Sequence, residues 1–369
     1  MKLRLIGQRN QLGGGTHFGE LCDALKKIAF YSGLIEELDC FDKPAMEAAA
    51  ATSGAQDVTI WFWNSEWITR FQGNHVVWGI FESDRLPQTY CDYLRAHGKR
   101  VWVPSHWGRD VLVNNGIASF LIDVVPEGVN GDRYHPHLRR AVNRTGQPFR
   151  FLSVGKFEKR KGYEELLEGF RQSFANTNEV ELLLKADYFI DFDAKKAALT
   201  ALVDSLGLKN VRLFWGQWSA EQLLALYNYA DAFVFASRAE GWGLPALEAA
   251  ATGLPLVSTY YSGHTEFLRH CERSLIKIAH RLEPIKDPDF AKYWPSADGN
   301  LGQWAQPSAT SIAAGLTLMR QNHELYRVEA QANSLRLIEK FSWSQSAHCA
   351  LECLSAHGLL QTGYAIHAT

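Results

Sequence analysis

Short apolar runs alternate with amphipathic stretches along most of this chain. Residues 2–7 (KLRLIG) read as a strand, and residues 13–30 (GGGTHFGELCDALKKIAF) as a glycine loop running into an amphipathic helix. Residues 58–63 (VTIWFW) and 75–81 (HVVWGIF) are dense in β-branched and aromatic side chains, which predicts buried strands. A helix is expected over 87–98, with Pro87 in its first turn and Gly98 past its end. Strand (100–105), helix (105–116) and strand (121–129) follow. From Asn130 to Gln147 the hydrophobic period lapses, and this polar stretch reads as an interdomain linker.

A second series then begins. Strands are expected at 149–155, 180–186, 210–216 and 231–237, and helices at 163–174, 194–207 and 219–230, the last capped by Ser219. An apolar strand, a glycine-rich turn, an Ala-rich helix and the apolar run 254–259 come next. Residues 302–307 (GQWAQP) read as a loop, and the remainder as three helices. Strand–helix alternation at this spacing implies parallel sheets covered by helices on both faces. The fold class is therefore α/β, with two Rossmann-like halves facing across a cleft and ligands at the carboxyl ends of the strands.

A chain of 369 residues is too long for one ordinary core, which agrees with two domains. The net charge of −2 supplies no global basic field, which disfavours nucleic acid and anionic lipid as partners without excluding a local patch. The six cysteines form no CxxC pair, and free thiols in a reducing cytoplasm are expected. The N-terminus has no secretory signal pattern, and no segment approaches the roughly 20 apolar residues that span a bilayer.

Chemistry concentrates in two segments of the second half. The loop GKFEKRKG (155–162) carries Lys156, Lys159, Arg160 and Lys161 between a strand end and a helix start, where cations and free N–H groups suit a phosphate or pyrophosphate. Lys156 and Lys161 are the expected phosphate ligands, with Lys159 and Arg160 facing water. In FASRAEGWGLPALEAAATGLPLVST (235–259), Glu240 and Glu248 bracket a Gly-x-Gly-x-Pro turn. Gly241 and Gly243 allow close approach of a ligand, and two carboxylates suit the hydroxyls of a sugar or ribose. Asp191-Phe192-Asp193 is expected at a helix start, not as a metal site. In the first half, Glu82, Asp84 and Arg85 (FESDRLP) end a strand at the cleft edge, where a carboxylate can orient or deprotonate an acceptor hydroxyl. A surface turn explains Asp84 and Arg85 equally well. Trp61, Trp63 and Trp78 read as core residues, and His106 as a helix-start residue.

EGWGLPALE resembles the E-x7-E signature of retaining GT-B glycosyltransferases of glycosyltransferase family 4. VPEGVNGDRYHP, FLSVGKFEKRKGYEELLEGF, the stretch from Tyr229 to Thr259, SGHTEF and FSWSQSAHCALECL are similar to further stretches of that family. The resemblance implies an acceptor domain (1–134, joined by a returning C-terminal helix, 345–369) and a donor domain (135–344). It implies that Lys156 and Lys161 neutralise a diphosphate, with Lys at the first position where the family often has Arg. Glu240 would stand near the donor sugar, and Glu248 would bind the ribose hydroxyls. Gly241, Trp242, Gly243 and Leu244 would line the donor, and Gly263, His264 and Thr265 would touch sugar or phosphates.

Gly14 and Gly15 would approach the donor phosphate. His17, Glu82, Asp84 and Arg85 are the candidates to face the acceptor, and Asp84 is also a candidate catalytic carboxylate, with the acceptor-side base left open. The implied reaction transfers a sugar from a nucleotide-diphosphate sugar to a hydroxyl with retention and without a metal or other cofactor. The implied acceptor is a glycan, a lipid-linked glycan or another hydroxyl compound, met in the cytoplasm or peripherally at the inner membrane face. A nucleotide-sugar epimerase of the same fold, or a non-catalytic nucleotide-sugar binding protein, are the alternatives.

Overall fold

A computed structural model describes residues 1–10, 13–28, 32–62, 65–136, 146–188 and 191–360. Trp63, the expected helix end at 29–30, linker positions 137–145 and the chain end 361–369 lie outside these residues. Two six-stranded parallel sheets, each covered by helices, form the protein. The first contains β1 (Leu3–Gly7), β2 (Ile35–Asp39), β3 (Val58–Trp61), β4 (Asn74–Trp78), β5 (Arg100–Val103) and β6 (Ile122–Val124), in the order β2-β1-β3-β4-β5-β6. Helices α1 (Gly13–Lys27), α2 (Lys43–Ala51), α3 (Gln88–His97) and α4 (His106–Asn114) accompany it. Every residue of β1, β3 and β5 is buried, as their apolar runs require of strands covered on both faces. Trp61 and Trp78 are core residues.

The second sheet contains β7 (Phe149–Lys156), β8 (Val180–Asp187), β9 (Val211–Phe214), β10 (Ala232–Phe235), β11 (Leu256–Thr259) and β12 (Leu275–Ile278), in the order β12-β11-β10-β7-β8-β9. Its helices are α5 (Tyr163–Phe174), α6 (Phe192–Ser205), α7 (Ala220–Tyr229), α8 (Leu244–Ala251) and α9 (Thr265–Leu268). The strand order reverses between β7 and β10, which pair directly through Phe151–Ala232 and Leu152–Phe233. Two loops leave the carboxyl ends of adjacent strands there, the topological point at which open α/β sheets bind ligands.

Three features differ from the pattern-based reading. β2 and α2 lie in a stretch that no hydrophobic period marked; β2 is a half-exposed edge strand, and α2 rests on an Asp42 cap and an N-terminal proline. GQWAQP is no loop: β14 (Gln303–Pro307) pairs antiparallel with β13 (His280–Pro284), with α10 (Pro288–Tyr293) between them. The stretch after Val129 is no free tether either, because Tyr134 is buried in the core. The chain closes with α11 (Ala309–Gln321), α12 (His323–Lys340) and α13 (Trp343–Ala356). α13 returns to the first domain: it packs on α1, and the Cys349 thiol lies against the Val124 carbonyl.

Candidate active site

A cleft of about 690 Å³ opens between the sheets. Gly13–Thr16, Glu82 and Glu127 line it from one side, and Lys156, Lys161, Glu240 and Glu248 from the other. The loop after β7 and the loop after β10 meet at its centre because their strands are neighbours. Lys161 Nζ donates to Glu240 Oε1 at 2.6 Å, and the Ser237 hydroxyl donates to the same oxygen. Burial opposes ionisation of Glu240, but the Lys161 and Arg160 charges with these hydrogen bonds outweigh it and hold the carboxyl at about 2. Burial and the neighbouring Arg160 push the Lys161 ammonium below its usual range.

Arg160 corrects the sequence-based reading most sharply. Expected to face water, it is 5% exposed. Its guanidinium reaches the Ala239 carbonyl at 2.7 Å, Glu82 at 2.7 Å, Glu158 at 3.0 Å and Glu240 at 3.2 Å. A planar fork with five donors can satisfy four acceptors in this way, and a lysine cannot. Because Glu82 belongs to the first domain, this one side chain ties the two domains across the cleft. Lys159 does lie outward, donating to the Lys286 carbonyl at 3.0 Å. Lys156 lies at the cleft with Glu158 3.6 Å away.

Glu248 projects from α8 on the other side of the turn. Tyr227 donates its hydroxyl to Glu248 Oε2 at 2.8 Å, and Tyr134 bonds the same carboxyl. Burial nevertheless dominates and raises the Glu248 carboxyl to about 7. Arg133 and Glu20 pair at 3.3 Å nearby. Neither Tyr227 nor Arg160 stood out in sequence as a site residue. For Arg160 the available signal was the lone guanidinium within a run of lysines.

Several expected site residues lie elsewhere. His17 is fully buried and enclosed by Phe62, Trp78 and Trp343, and its ring makes no hydrogen bond among the described residues; burial drives its pKa down to about 3. Asp84 does not line the cleft, because its carboxylate accepts the Gln303 N–H at 2.7 Å. Arg85 pairs with the exposed Asp298 at 2.6 Å. Both residues form a clasp with the β13–β14 insertion, together with Ser83 donating to the Leu301 carbonyl at 2.5 Å and Trp304 to the Glu82 carbonyl at 2.6 Å.

The Trp242 ring packs on Phe267 and Phe341 in the core, yet Trp242 lines the cleft as expected. Gly263, His264 and Thr265 do not line the cleft; they brace the turn from behind. Gly263 N–H donates to the Glu240 carbonyl at 2.9 Å, and a Cβ at Gly263 would lie 1.9 Å from the Gly241 carbonyl oxygen, so only glycine permits this approach. His264 is buried and bonded to the Thr259 carbonyl at 2.9 Å. Gly14, Gly15, Gly241, Gly243 and Leu244 do line the cleft. His106, at the start of α4, meets Glu266 of the other domain at 2.9 Å. Asp191 and Asp193 lie at the start of α6. Among the described residues no group of three His, Cys, Asp or Glu could hold a metal ion, and no helix is long and apolar enough to cross a membrane.

Comparison with known proteins agrees with this geometry. Residues 136–283 match the sequence model of the family "Glycosyl transferases group 1". A relative from Agrobacterium fabrum, mannosylfructose-phosphate synthase, is 32% identical over 163 residues, covering 42% of this chain and 36% of the relative. The chain spans less than half the length of the curated relatives first matched. Sucrose-phosphate synthase from Thermosynechococcus elongatus superposes with a TM-score of 0.73 at 16% identity, over 97% of this chain and 99% of the other. HepE of Anabaena, solved with UDP and glucose, superposes with a TM-score of 0.69 at 15% identity, over 96% and 100%. The chain is thus built on the GT-B fold, and its residues 136–283 are similar to the group 1 glycosyl transferases.

Proposed function

We propose that this protein is a retaining glycosyltransferase that moves a sugar from a nucleotide-diphosphate sugar to an acceptor hydroxyl. One observation carries the reading: the phosphate-suited cations after β7 and the carboxylate after β10 converge within the interdomain cleft, with Lys161 bonded to Glu240. The second domain holds the donor, and the first domain with α13 holds the acceptor. Lys156 and Lys161 neutralise the diphosphate. Arg160 fixes the loop and sets the field around it. Glu240 positions the sugar, and Glu248 accepts the ribose hydroxyls. The complexes of HepE with UDP and glucose support this class of donor.

The C1–O bond to the diphosphate breaks as a bond from C1 to the acceptor oxygen forms on the same face. Negative charge develops on the departing diphosphate, where the fixed cations stabilise it. The departing phosphate oxygen takes the acceptor proton, and the products are the glycoside and the nucleoside diphosphate. No metal ion is required where lysines fill this role. An acceptor that is a glycan or lipid-linked glycan, met at the cytoplasmic membrane face, fits the reading. The test incubates the protein with UDP-, GDP- and ADP-sugars, with and without glycan acceptors, and measures nucleoside diphosphate release. Release from one donor is expected, and Glu240→Ala should abolish it. Binding without release, or epimerised donor in its place, would refute the transferase reading.

A further inference from the structure

Glu127 was not singled out by its residue type or spacing, yet it lines the cleft. It follows β6 and is 3% exposed while lining the cleft opposite Glu240. The backbone around it is held on both sides. Val125 N–H donates to the Val103 carbonyl at 2.9 Å, and Val129 N–H donates to the Phe341 carbonyl at 2.7 Å. Between them, Gly128 lies so close to the Ser342–Trp343 backbone that a Cβ there would sit 2.3 Å from the Trp343 nitrogen. The Glu127 side chain is thereby fixed by the junction where the chain returns to the first domain.

Its carboxyl makes no hydrogen bond among the described residues. The nearest basic atom is His17 Nδ1 at 3.7 Å, and both ring nitrogens of His17 also lack a hydrogen-bond partner among those residues. A buried carboxyl left in this state is costly unless a ligand completes it. His17 cannot supply a counter-charge, because its aromatic enclosure keeps the ring neutral. Burial, and then the negative charge of Glu240, push the Glu127 carboxyl well above the usual carboxylate range. Two carboxyls therefore face the same space under opposite influences: the Lys161 and Arg160 charges favour ionised Glu240, whereas burial favours the protonated form of Glu127, which can both donate and accept.

We propose that Glu127 is a donor-sugar recognition residue, its carboxyl hydrogen-bonding a ring hydroxyl of the sugar held between it and Glu240. The inference rests on the nucleotide-sugar reading above and assigns to the first domain a direct part in choosing the sugar. A neutral acid suits this role, since a hydroxyl can satisfy it without a counter-ion.

The test compares, by calorimetry, the binding of UDP-glucose with UDP, GDP-mannose with GDP, and ADP-glucose with ADP, in the full chain and in two variants. Glu127→Gln preserves shape and neutrality, while Glu127→Met removes every polar atom. For the donor that wild type binds, the affinity that the sugar adds over the free diphosphate is expected to fall about 10-fold in Glu127→Met and less than about 3-fold in Glu127→Gln. Affinity for the free diphosphate should not change in either variant. A purely structural role would not separate diphosphate from sugar in this way. Should Glu127→Met fail to fold, Glu127→Asp, which withdraws the carboxyl by one methylene, is expected to show the same selective loss. An unchanged sugar increment overturns the inference, and so does a Glu127→Gln variant that binds normally but no longer turns over, which would mark an ionised base. Binding of none of the donors by wild type overturns the nucleotide-sugar reading, and this inference with it.

Discussion

Replacing Arg160 by alanine tests the centre of this structure. The side chain is 5% exposed and holds three carboxylates, from Glu82, Glu158 and Glu240, together with the Ala239 carbonyl. Alanine would leave Glu240 buried and Glu82 and Glu158 half-buried, with Lys161 and Lys156 as the remaining nearby cations. Removing one partner from a buried charge network destabilises by about 3–5 kcal/mol, most of it from the charges left uncompensated. At roughly 2–4 °C per kcal/mol for domains of this size, the melting temperature should fall by about 6–20 °C. The loss should also depend on pH. Without the guanidinium, the carboxylates are relieved only by taking up protons, so the deficit should be larger at about pH 8.5 than at about pH 6. Differential scanning calorimetry of wild type, Arg160→Ala and Arg160→Lys measures both effects. Arg160→Lys should recover only part of the loss, since one ammonium cannot reach four acceptors. A melting temperature within about 1 °C of wild type, or a deficit that grows toward low pH, would refute the charge-network account.

Lys161→Ala should weaken nucleoside diphosphate binding by about 10-fold or more while leaving the fold intact, read by calorimetric titration; unchanged affinity would remove Lys161 from the phosphate site. Glu248 has its carboxyl raised to about 7, above its ordinary 4.5, so its favourable contribution is complete below that ordinary value and is lost as pH rises through about 7. The melting temperature of Glu248→Gln relative to wild type should therefore climb between about pH 5 and about pH 8, and a flat difference would contradict the burial of this group. Gly302→Ala should open the interdomain clasp, because Gly302 has φ +88° and a Cβ would lie 2.3 Å from both Asp84 Oδ1 and Ser83 Oγ. A lower melting temperature and faster proteolysis between β13 and β14 are expected, and wild-type resistance would show that the clasp does not restrain the insertion.

The features legible in the sequence were those with a period or a turn chemistry. The strands β1, β3, β7 and β10 announce themselves because they are dense in apolar residues, and the GWGLP turn because its glycines and proline suit a strand-to-helix connection. β2 and β14 escaped for the opposite reason. β2 is a half-exposed edge carrying Glu36 and Glu37, and β14 is a five-residue strand bearing two glutamines and a proline. Their partners, not their composition, make them strands. Lys161 could be read from its place beside a helix start. The clasp on Asp84 could not, because Gln303 lies 219 positions away and no spacing rule links the two.

Charge hid the rest of the site. A loop with four cations in eight residues suggests a bare positive surface, and on that view Arg160 is an ornament facing water. Folding brings Glu82, Glu158 and Glu240 against Lys156, Arg160 and Lys161, so three cations meet three carboxylates. Only one of those carboxylates is inside the loop; one comes from the next strand end and one from the other domain. Glu127 is concealed by the same logic in reverse. A glutamate between a proline and a glycine looks like surface, and only the returning segment at Ser342–Trp343 and the ring of His17 turn it into a buried acid. The cleft is therefore electrically graded: an interlocked ionic network at the β7 and β10 ends, and in the first domain's lining a carboxyl whose burial disfavours its ionised form. That gradient matches a ligand with its negative charge at one end and hydroxyls at the other. The match arises from the docking of the two domains, since neither domain alone contributes both Glu82 and Arg160, or both Glu127 and Glu240.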